Sequence, residues 1–343
     1  MSDFNPLVSI VIPVYNGSNY IREAIDSALA QTYENIEIVV VNDGSTDNTE
    51  EIVLSYGDKI RYFAKKNGGT STALNMGIAN MRGEYFSWLS HDDQYYPQKV
   101  ARAIEELSKL EDKNTIIISE LDGIDENYEK LYRSYYKEDR DDYPKRHQVP
   151  LYPVIYNRTH GCTHLISKKV FETVGLFDVK WLVAHDYEFY YRAFAKFPHL
   201  LIPEVLVNAR ESSNRQGRRS HTRGNIEYSL LFITIMESLG EQEILEIAPS
   251  VKNYLLDMEA FFSSAGYTVA LEYLYLRAKL EGIHIKREKP SVSKVEEVAV
   301  EAEAEPAAPY IKRSYARRFV RGMRRYGFMG FWKVFFRKIK RKK

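Results

Sequence analysis

The amino-acid sequence predicts a doubly wound α/β fold, and three observations support this prediction. Short apolar runs alternate with segments of helical periodicity over the first ninety residues. The apolar runs are hydrophobic throughout, which is typical of parallel strands that are buried on both faces. A helical segment separates each strand from the next, and this alternation implies right-handed crossovers within one sheet.

The first half of the predicted sheet has four strands and three connecting helices. The strands are Val8–Ile12, Ile36–Val41, Ile60–Ala64 and Tyr85–Leu89. Ile21, Ile25 and Leu29 recur at four-residue spacing, which predicts an amphipathic first helix. The second helix lies near 47–55, and the third runs from 68 to 81.

Further helices and strands are predicted in the second half of the chain. They are helix Gln98–Leu110, strand Thr115–Ser119, strand Gly161–Ser167, helix Lys168–Val174 and helix His185–Phe197. Residues 225–283 have helical periodicity, so we expect an α/β domain over 1–222 and a helical C-terminal region over 223–284. Residues 285–309 are biased toward Glu, Ala, Val and Pro, which is typical of a linker.

The composition is that of a globular protein with a reduced thiol. Of the 343 residues, 44% are hydrophobic, and no apolar run reaches the length of a membrane-spanning helix. The single cysteine, Cys162, excludes an intramolecular disulfide and favours a cytoplasmic setting. The first apolar run lacks a preceding basic region and ends at Pro13, so it predicts a strand and not a signal peptide.

The near-neutral net charge of +1 conceals a strongly basic tail. Residues 310–343 contain 14 of the 48 Lys and Arg residues and no Asp or Glu. Aromatic and aliphatic residues recur along the tail at helical spacing, which predicts an amphipathic helix at an anionic membrane surface. The alternatives are packing against the acidic body of the protein and nucleic-acid binding, and we rank both below the membrane.

The residues that follow the four strands predict the position of the site. In open α/β sheets, ligands bind at the carboxyl ends of the strands. The four loops there are Pro13-Val14-Tyr15-Asn16, Asp43-Gly44-Ser45, Lys66-Asn67-Gly68-Gly69 and Ser90-His91-Asp92-Asp93. We expect these loops to converge on a single site.

Three acidic positions are candidates for chemistry. Asp92-Asp93 suits a hard divalent cation, although two adjacent acids can also form a solvated turn. Asp43 follows a strand and suits a base or ribose, but it is also a typical turn residue. Asp186 lies near a helix start, where it is either a favourable charge for the helix dipole or a general base for an acceptor hydroxyl.

Six segments, taken in order, resemble the motifs of family 2 glycosyltransferases, which are inverting enzymes. The segments are VSIVIPVYNG, IEIVVVNDGSTD, KKNGGTSTALNMGI, FSWLSHDDQYYP, GCTHLISKKVFETVGLFD and AHDYEFYYR. The resemblance covers roughly residues 6–213. It implies the GT-A fold, a Rossmann-like and mostly parallel sheet flanked by helices, here followed by the helical region and the basic tail.

The resemblance also implies a role for each matching position. Pro13, Tyr15 and Asn16 fall where the family packs the nucleotide base, and Asp43 matches the acid that bonds the base or ribose. The segment that covers the nucleotide corresponds to Asn67, Gly68 and Ala73. Asp92 and Asp93 match the metal motif, with Asp92 the direct ligand and also part of the donor site. Asp186 matches the catalytic base.

Three positions depart from the family pattern. The metal motif of the family commonly begins with Asp, but this chain has Ser90 at that position. The base motif of the family is often Glu-Asp, but this chain has His185-Asp186. A histidine metal ligand that often follows the last strand is absent, because the chain has Asn208-Ala209-Arg210-Glu211 there. Glu211 and His221 are the candidates to replace it.

The implied function is transfer of a sugar from a nucleotide-diphosphate sugar, with UDP favoured, to a hydroxyl of a glycan, including a lipid-linked one. The implied cofactor is Mn²⁺ or Mg²⁺, and the implied context is surface polysaccharide or glycoconjugate synthesis at the inner face of the membrane, without nucleic acid. The alternatives are a nucleotidyltransferase and an inactive, membrane-tethered nucleotide-sugar-binding protein.

Overall fold

A computed structural model describes residues 4–133, 149–156, 158–211 and 221–285. Within these residues, nine strands form one sheet. The strands are β1 (Val8–Val14), β2 (Ile36–Asn42), β3 (Arg61–Ala64), β4 (Tyr85–Trp88), β5 (Gln94–Tyr95), β6 (Ile116–Ile124), β7 (Lys130–Arg133), β8 (His164–Ser167) and β9 (His199–Arg210).

The helices connect the strands and then continue beyond the sheet. They are α1 (Ile21–Leu29), α2 (Thr49–Leu54), α3 (Thr70–Asn80), α4 (Lys99–Lys109), α5 (Tyr152–Ile155), α6 (Lys168–Val174), α7 (His185–Phe194), α8 (His221–Ser238), α9 (Glu241–Ile247), α10 (Val251–Ala265) and α11 (Thr268–Leu280). Short 3₁₀ turns occur at Gly57–Lys59 and Gly161–Thr163.

The first four predicted strands form a parallel half-sheet, as the sequence predicts. Their order is β3-β2-β1-β4, with β1 paired to β2 and β4 in parallel register. All seven residues of β1 are buried, which is the expected consequence of helices on both of its faces. The buried stripe of α1 is Ile21, Ala24, Ile25 and Ala28, whereas Leu29 is exposed.

The second half of the sheet mixes parallel and antiparallel strands. β8 lies antiparallel between β4 and β6, and β9 runs parallel to β6. β5 pairs antiparallel with β9, and β7 pairs antiparallel with β6. This arrangement returns β9 to the edge beside the metal motif, because β5 begins directly after Asp93.

The sequence pattern underestimates the strands in this half. β9 is not predicted, because Pro203 and Glu204 interrupt its apolar pattern and the register shifts there against β6. β5 is only two residues long, which is too short to show the alternation of apolar and polar residues that predicts a strand. The segment predicted as a strand from Gly161 begins with a 3₁₀ turn and becomes a strand at His164.

The four C-terminal helices pack as one unit against the α/β part. Aromatic rings from α8, α10 and the turn before α11 form contacts at ring-centroid distances of 5.2–5.8 Å around Phe232, with Phe261, Phe262 and Tyr267 as partners. The buried residues of these helices belong to the same hydrophobic core as the sheet. Deletion of the helical region would therefore expose core surface of the α/β domain.

None of the described helices combines the length and the apolar composition that crossing a membrane requires. The predicted tail at 310–343 and all but the first residue of the predicted linker at 285–309 lie outside the described residues.

Candidate active site

Hydrogen bonds join the first two strand-end loops. Asn16 adopts a left-handed backbone conformation, with φ of 48°, and its side-chain oxygen accepts from the Thr46 amide at 2.8 Å. Its own amide donates to Ser45 Oγ at 2.9 Å. Tyr15 is 48% exposed beside this junction, whereas Pro13 is buried within β1. Tyr15 and Asn16 are therefore the accessible members of the predicted base-binding loop.

Asp43 joins the second loop to the third. Its carboxylate is buried and accepts from the amides of Gly68 at 3.0 Å and Gly69 at 2.7 Å, and it also bonds the Lys65 ammonium. Gly69 precedes α3, so Asp43 satisfies backbone donors at the start of that helix. Asp43, which we predict to contact the nucleotide, therefore also holds the third loop in place. That loop is the one that we predict to cover the nucleotide.

The third loop leaves two of its three predicted residues accessible. Asn67 and Gly68 are exposed, while Ala73 is buried within α3. A Cβ atom on Gly44 would lie 2.8 Å from the Asn67 amide, and Gly44 has φ of +77°. The second and third loops therefore approach each other so closely that glycine is required at Gly44.

The fourth loop carries the metal motif and contacts the first loop. A Cβ on Gly17 would overlap the His91 ring, so these loops are in van der Waals contact. Asp92 is partly exposed and Asp93 is buried. Contacts between neighbouring loops thus bring the four loops together at one edge of the sheet, as the sequence predicts.

The buried Asp93 carboxylate is held by two donors from distant parts of the chain. Oδ1 accepts from the Arg210 amide at 2.9 Å, and Oδ2 accepts from the Cys162 thiol at 3.0 Å. Burial and the charge of Asp93 raise the pKa of the Cys162 thiol well above its usual range, so the thiol stays protonated as the donor. Cys162 Sγ also accepts from the Ser90 amide at 3.2 Å, which ties both ends of the motif to one sulfur.

Arg210 is a fully buried cation that supports the metal motif from behind. Its Nε donates to the Asp92 carbonyl at 3.2 Å, and one terminal nitrogen donates to Glu23 at 2.7 Å. Its guanidinium carbon lies 4.3 Å from the ring centroid of Tyr20 and 4.7 Å from that of Tyr128. Neither the strand that ends at Arg210 nor the inward direction of its side chain is predicted from the sequence.

A second buried cation, Lys99, lies below β4. Its ammonium donates to Ser87 Oγ and to the His164 carbonyl, the latter at 3.1 Å. Tyr95 Oη donates to the Trp88 carbonyl at 2.5 Å and lies near the same ammonium. Burial lowers the pKa of Lys99 to about 7, because transfer from water disfavours the charged form.

Asp186 lies in the first turn of α7 and is surrounded by tyrosines from α7 and the C-terminal region. Burial and then the charge of Asp186 raise the pKa of Tyr190 and Tyr228 well above the usual range. The same two causes raise the pKa of Tyr267 to about 12. The helical C-terminal region, through Tyr228 and Tyr267, therefore forms part of the surroundings of the predicted base.

His185 does not lie on the surface. It is buried, with its ring centroid 5.9 Å from Trp88 and 6.3 Å from Phe177. Neither ring nitrogen has a hydrogen-bond partner in the described part of the chain, so the ring does not orient Asp186 through a hydrogen bond. The contact with Trp88 places the start of α7 beside the strand that leads into the metal motif.

The segment before α7 is fixed from two sides. Asn75 in α3 donates to the Phe177 carbonyl at 2.9 Å and accepts from the Phe177 amide at 3.1 Å. From the helical region, Glu227 accepts from the amides of Val183 at 2.8 Å and Ala184 at 3.1 Å. The position of Asp186 therefore depends on both the nucleotide-side helix and the C-terminal helices.

Glu211 and His221 are the predicted replacements for the missing histidine, and the structure describes the side chain of Glu211 but not that of His221. Glu211 is partly buried at the end of β9, and its amide donates to the Ile124 carbonyl at 2.7 Å. The side chain of His221 lies outside the described part of the chain.

The relatives of this chain settle its family. Residues 9–175 match the model of glycosyl transferase family 2. An uncharacterised glycosyltransferase of Rickettsia typhi is 46% identical over 264 residues, which cover 77% of this chain and 82% of the relative. The chain belongs to glycosyl transferase family 2. Another relative, an uncharacterised glycosyltransferase of Haemophilus influenzae, is 29% identical over 84% of this chain and 96% of its own length.

Solved structures confirm the predicted GT-A fold of this family 2 member. S. aureus TarS has a TM-score of 0.56 at 20% identity, over 73% of this chain and 43% of TarS. The mannosyltransferase PcManGT of Pyrobaculum calidifontis has a TM-score of 0.55 at 18% identity, over 92% of this chain and 84% of that chain. At these identities, the likeness shows the shared fold alone.

Proposed function

We propose that this glycosyltransferase moves a sugar from a nucleotide-diphosphate sugar to a hydroxyl of a glycan acceptor, with inversion at the anomeric carbon. The observation that carries this proposal is the convergence of four strand-end loops beside the start of α7. The contact between His185 and Trp88 brings the helix that carries the proposed base close to the strand that leads into the fourth loop. The family, rather than the geometry, favours a UDP sugar and a glycan, including a lipid-linked one, in surface polysaccharide or glycoconjugate synthesis.

The donor side is supported by accessible groups in the first and third loops. Tyr15 and Asn16 suit packing against a nucleotide base, and Asn67 and Gly68 are exposed in the third loop. Asp43 acts here by holding the third loop in place. TarS structures contain UDP and UDP-GlcNAc, and PcManGT was solved with GDP-Man and Mn²⁺, which supports a nucleotide-sugar donor of this general kind.

The residues at the fourth loop fit a hard divalent cation. Asp92 offers carboxylate oxygens from a partly exposed position, and oxygen ligands are those that Mg²⁺ and Mn²⁺ prefer. Asp93, buried behind it, fixes the loop and completes the acidic pair. A cation bound there would neutralise charge on the departing nucleotide diphosphate.

Asp186 is the proposed catalytic base. Its carboxylate would accept the proton of the acceptor hydroxyl while that oxygen attacks the anomeric carbon from the face opposite the nucleotide. The oxygen–carbon bond forms as the bond to the diphosphate oxygen breaks, and the electron pair leaves with the diphosphate. The carboxylate is partly exposed, and Tyr190 and Tyr228 lie near it.

The test begins with the donor and ends with the base. A thermal-shift screen of nucleotide sugars with Mn²⁺ identifies the donor, because a ligand of the native state raises its melting temperature. With that donor, we expect Asp186→Asn to lower transfer by about 10²–10⁴-fold while calorimetric donor binding is retained.

Asp112→Asn is a matched control for the base assignment. Asp186 accepts from the Tyr187 amide at 2.9 Å. Asp112 likewise accepts from a nearby backbone amide, that of Asn114 at 2.9 Å, but it lies in the loop after α4. Its variant should retain transfer. Equal activity of Asp186→Asn and the native protein would refute the assignment. Absence of donor turnover by the native protein, with and without metal, would favour the inactive binding protein instead.

A further inference from the structure

A cluster of three different ligand types includes Asp93, the neighbour of Asp92 in the fourth loop. Asp93, His160 and Cys162 offer a carboxylate oxygen, an imidazole nitrogen and a thiol sulfur, all within 4.8 Å of one another. Asp93 and Cys162 are buried, and His160 is partly buried. This ligand set contrasts with the all-oxygen chemistry proposed at Asp92, because thiolate and imidazole ligands favour Zn²⁺ and related cations over Mg²⁺.

We propose that Asp93, His160 and Cys162 form a second cation site, selective for thiophilic divalent cations such as Zn²⁺. It uses Asp93 of the fourth loop, and its cation is separate from the diphosphate-bound cation proposed at Asp92. It binds its cation in the absence of any nucleotide sugar.

The spacing of the ligand atoms suits a tetrahedral cation. With bonds of about 2.0–2.3 Å, neighbouring ligand atoms of a tetrahedral site lie roughly 3.3–3.7 Å apart. Cys162 Sγ and Asp93 Oδ2 are already 3.0 Å apart. The imidazole nitrogen is within 4.8 Å of both, so it needs to approach by only about 1 Å to complete the set.

Neighbouring groups hold the ligands in place. The Arg210 amide occupies Asp93 Oδ1, which leaves Oδ2 directed at the sulfur. The Ser90 amide fixes the sulfur at 3.2 Å. His160 directly precedes the 3₁₀ turn that carries Cys162, and its Nδ1 accepts from the Cys162 amide at 3.4 Å. Such outer contacts orient ligands and strengthen metal binding.

Binding exchanges a proton for a cation. The thiol proton that bonds Asp93 leaves to solvent, and the sulfur and Oδ2 then bind the cation as thiolate and carboxylate. With a neutral imidazole, the ligands carry two negative charges, which balance a divalent cation in a buried setting. A fourth position remains for water or another ligand.

Co²⁺ is a sharp probe of this site, because the chain has a single cysteine. A thiolate-to-Co²⁺ charge-transfer band in the near ultraviolet can arise from Cys162 alone. We expect the full-length, metal-free protein to develop this band at one Co²⁺ per chain and to lose it when Zn²⁺ is added. A native protein that shows no such band at saturating Co²⁺ would overturn the proposal.

Two variants assign the remaining ligands, independently of any transfer assay. Cys162→Ser preserves a group that can donate to Asp93, and we expect it to bind Co²⁺ without the band. His160→Asn should weaken Zn²⁺ binding, measured by competition with a chelating dye, by about tenfold or more. His284→Asn, in an exposed segment after α11, is the matched control and should bind as the native protein does.

The variants also show how the proposal fails. If His160→Asn binds Zn²⁺ as tightly as the native protein does, His160 is not a ligand and the proposed three-residue site is wrong. Should Cys162→Ser not fold, as judged by circular dichroism, the band of the native protein and the affinity of His160→Asn still decide the outcome. Loss of donor-dependent activity in the native protein has no bearing on these readouts, so the two proposals fail separately.

Discussion

Arg210 is the residue on which the metal motif depends most directly. Its amide holds Asp93 and its side chain holds the Asp92 carbonyl, while two tyrosine rings and Glu23 fix the guanidinium. Lysine retains the charge but has neither the planar fork nor the flat surface that stacks between rings. The support that it gives to Asp92 is therefore specific to arginine.

We expect Arg210→Lys to weaken Mn²⁺ binding by about 10–100-fold, the loss typical of changes behind a metal ligand. Isothermal titration with Mn²⁺ and the donor measures it. Arg277→Lys is the matched control, because Arg277 also bonds a backbone carbonyl and a glutamate, but within the C-terminal helices. Equal Mn²⁺ affinities for both variants and the native protein would contradict this role of Arg210.

Lys99 makes the stability of the protein depend on pH. Its folded pKa of about 7 lies below the ordinary value of 10.5, because burial disfavours the ammonium. Between these values the unfolded chain binds more protons than the folded protein, so the contribution of Lys99 to stability rises with pH. Below the folded pKa, the cost of the buried charge is present in full.

Lys99→Met should therefore remove this pH dependence. We expect the difference in unfolding free energy, native minus variant, to increase as pH rises from about 7 toward 10.5. Urea unfolding of both proteins across that window measures the difference. Two curves that run parallel throughout would show that Lys99 does not titrate in the folded protein within the window.

At the scale of elements, the C-terminal helices position α7, the helix that carries the proposed base. Glu227 in α8 is buried and accepts from three consecutive amides, those of residues 182–184, immediately before α7. These amides lie just before the first helical residue, so the carboxylate fixes the segment that leads into α7, at the helix end where the dipole favours a negative charge. The connection means that the orientation of Asp186 is controlled from outside the α/β domain.

Glu227→Gln should lower kcat, by up to about 100-fold, because small displacements of a reacting group have effects of that size. Donor affinity should be unchanged, since Glu227 does not contact the nucleotide loops. Steady-state kinetics and donor titration separate these effects. Glu243→Gln is the control, because Glu243 also accepts a backbone amide, that of Gly240 at 2.6 Å. A fall in melting temperature without a change in kcat would limit Glu227 to a structural role.

The parts of the fold that the sequence predicts are those with local patterns. The four parallel strands are uniformly apolar, and their end loops contain the turn residues that place Asp43 and Asp92 at one edge. The contacts that the sequence does not reveal are distant along the chain, such as Cys162 with Asp93, 69 positions apart. The burial of Arg210 cannot be read from the sequence either, because tertiary packing decides whether an arginine is buried or exposed.

At the scale of the whole molecule, the basic tail remains a prediction. Its 14 basic residues lie outside the described residues, and they follow an α/β and helical body that is acidic on balance. Each basic residue near an anionic surface contributes about 1 kcal/mol. We therefore predict that partial engagement of these charges would hold the protein at an anionic membrane surface.

Deletion of residues 310–343 should release the protein from anionic vesicles, as measured by co-sedimentation at moderate ionic strength. Binding of the full chain should also weaken as salt is raised, because the attraction is screened. Neutral vesicles serve as the control surface. Equal sedimentation of the truncated and full-length proteins would contradict the membrane role, and retention on nucleic acid alone would favour the alternative partner.

The pairing of β5 with β9 has a consequence for how the enzyme is made. Arg210 and Asp93 are 117 positions apart, and at about 5–20 residues per second a ribosome needs roughly 6–23 s to synthesise the intervening chain. The parallel strands that form the nucleotide loops are complete before then. A nascent chain therefore completes its first three strand-end loops before the contacts that support Asp93, and the segment before α7 is fixed later still, once Glu227 has been made.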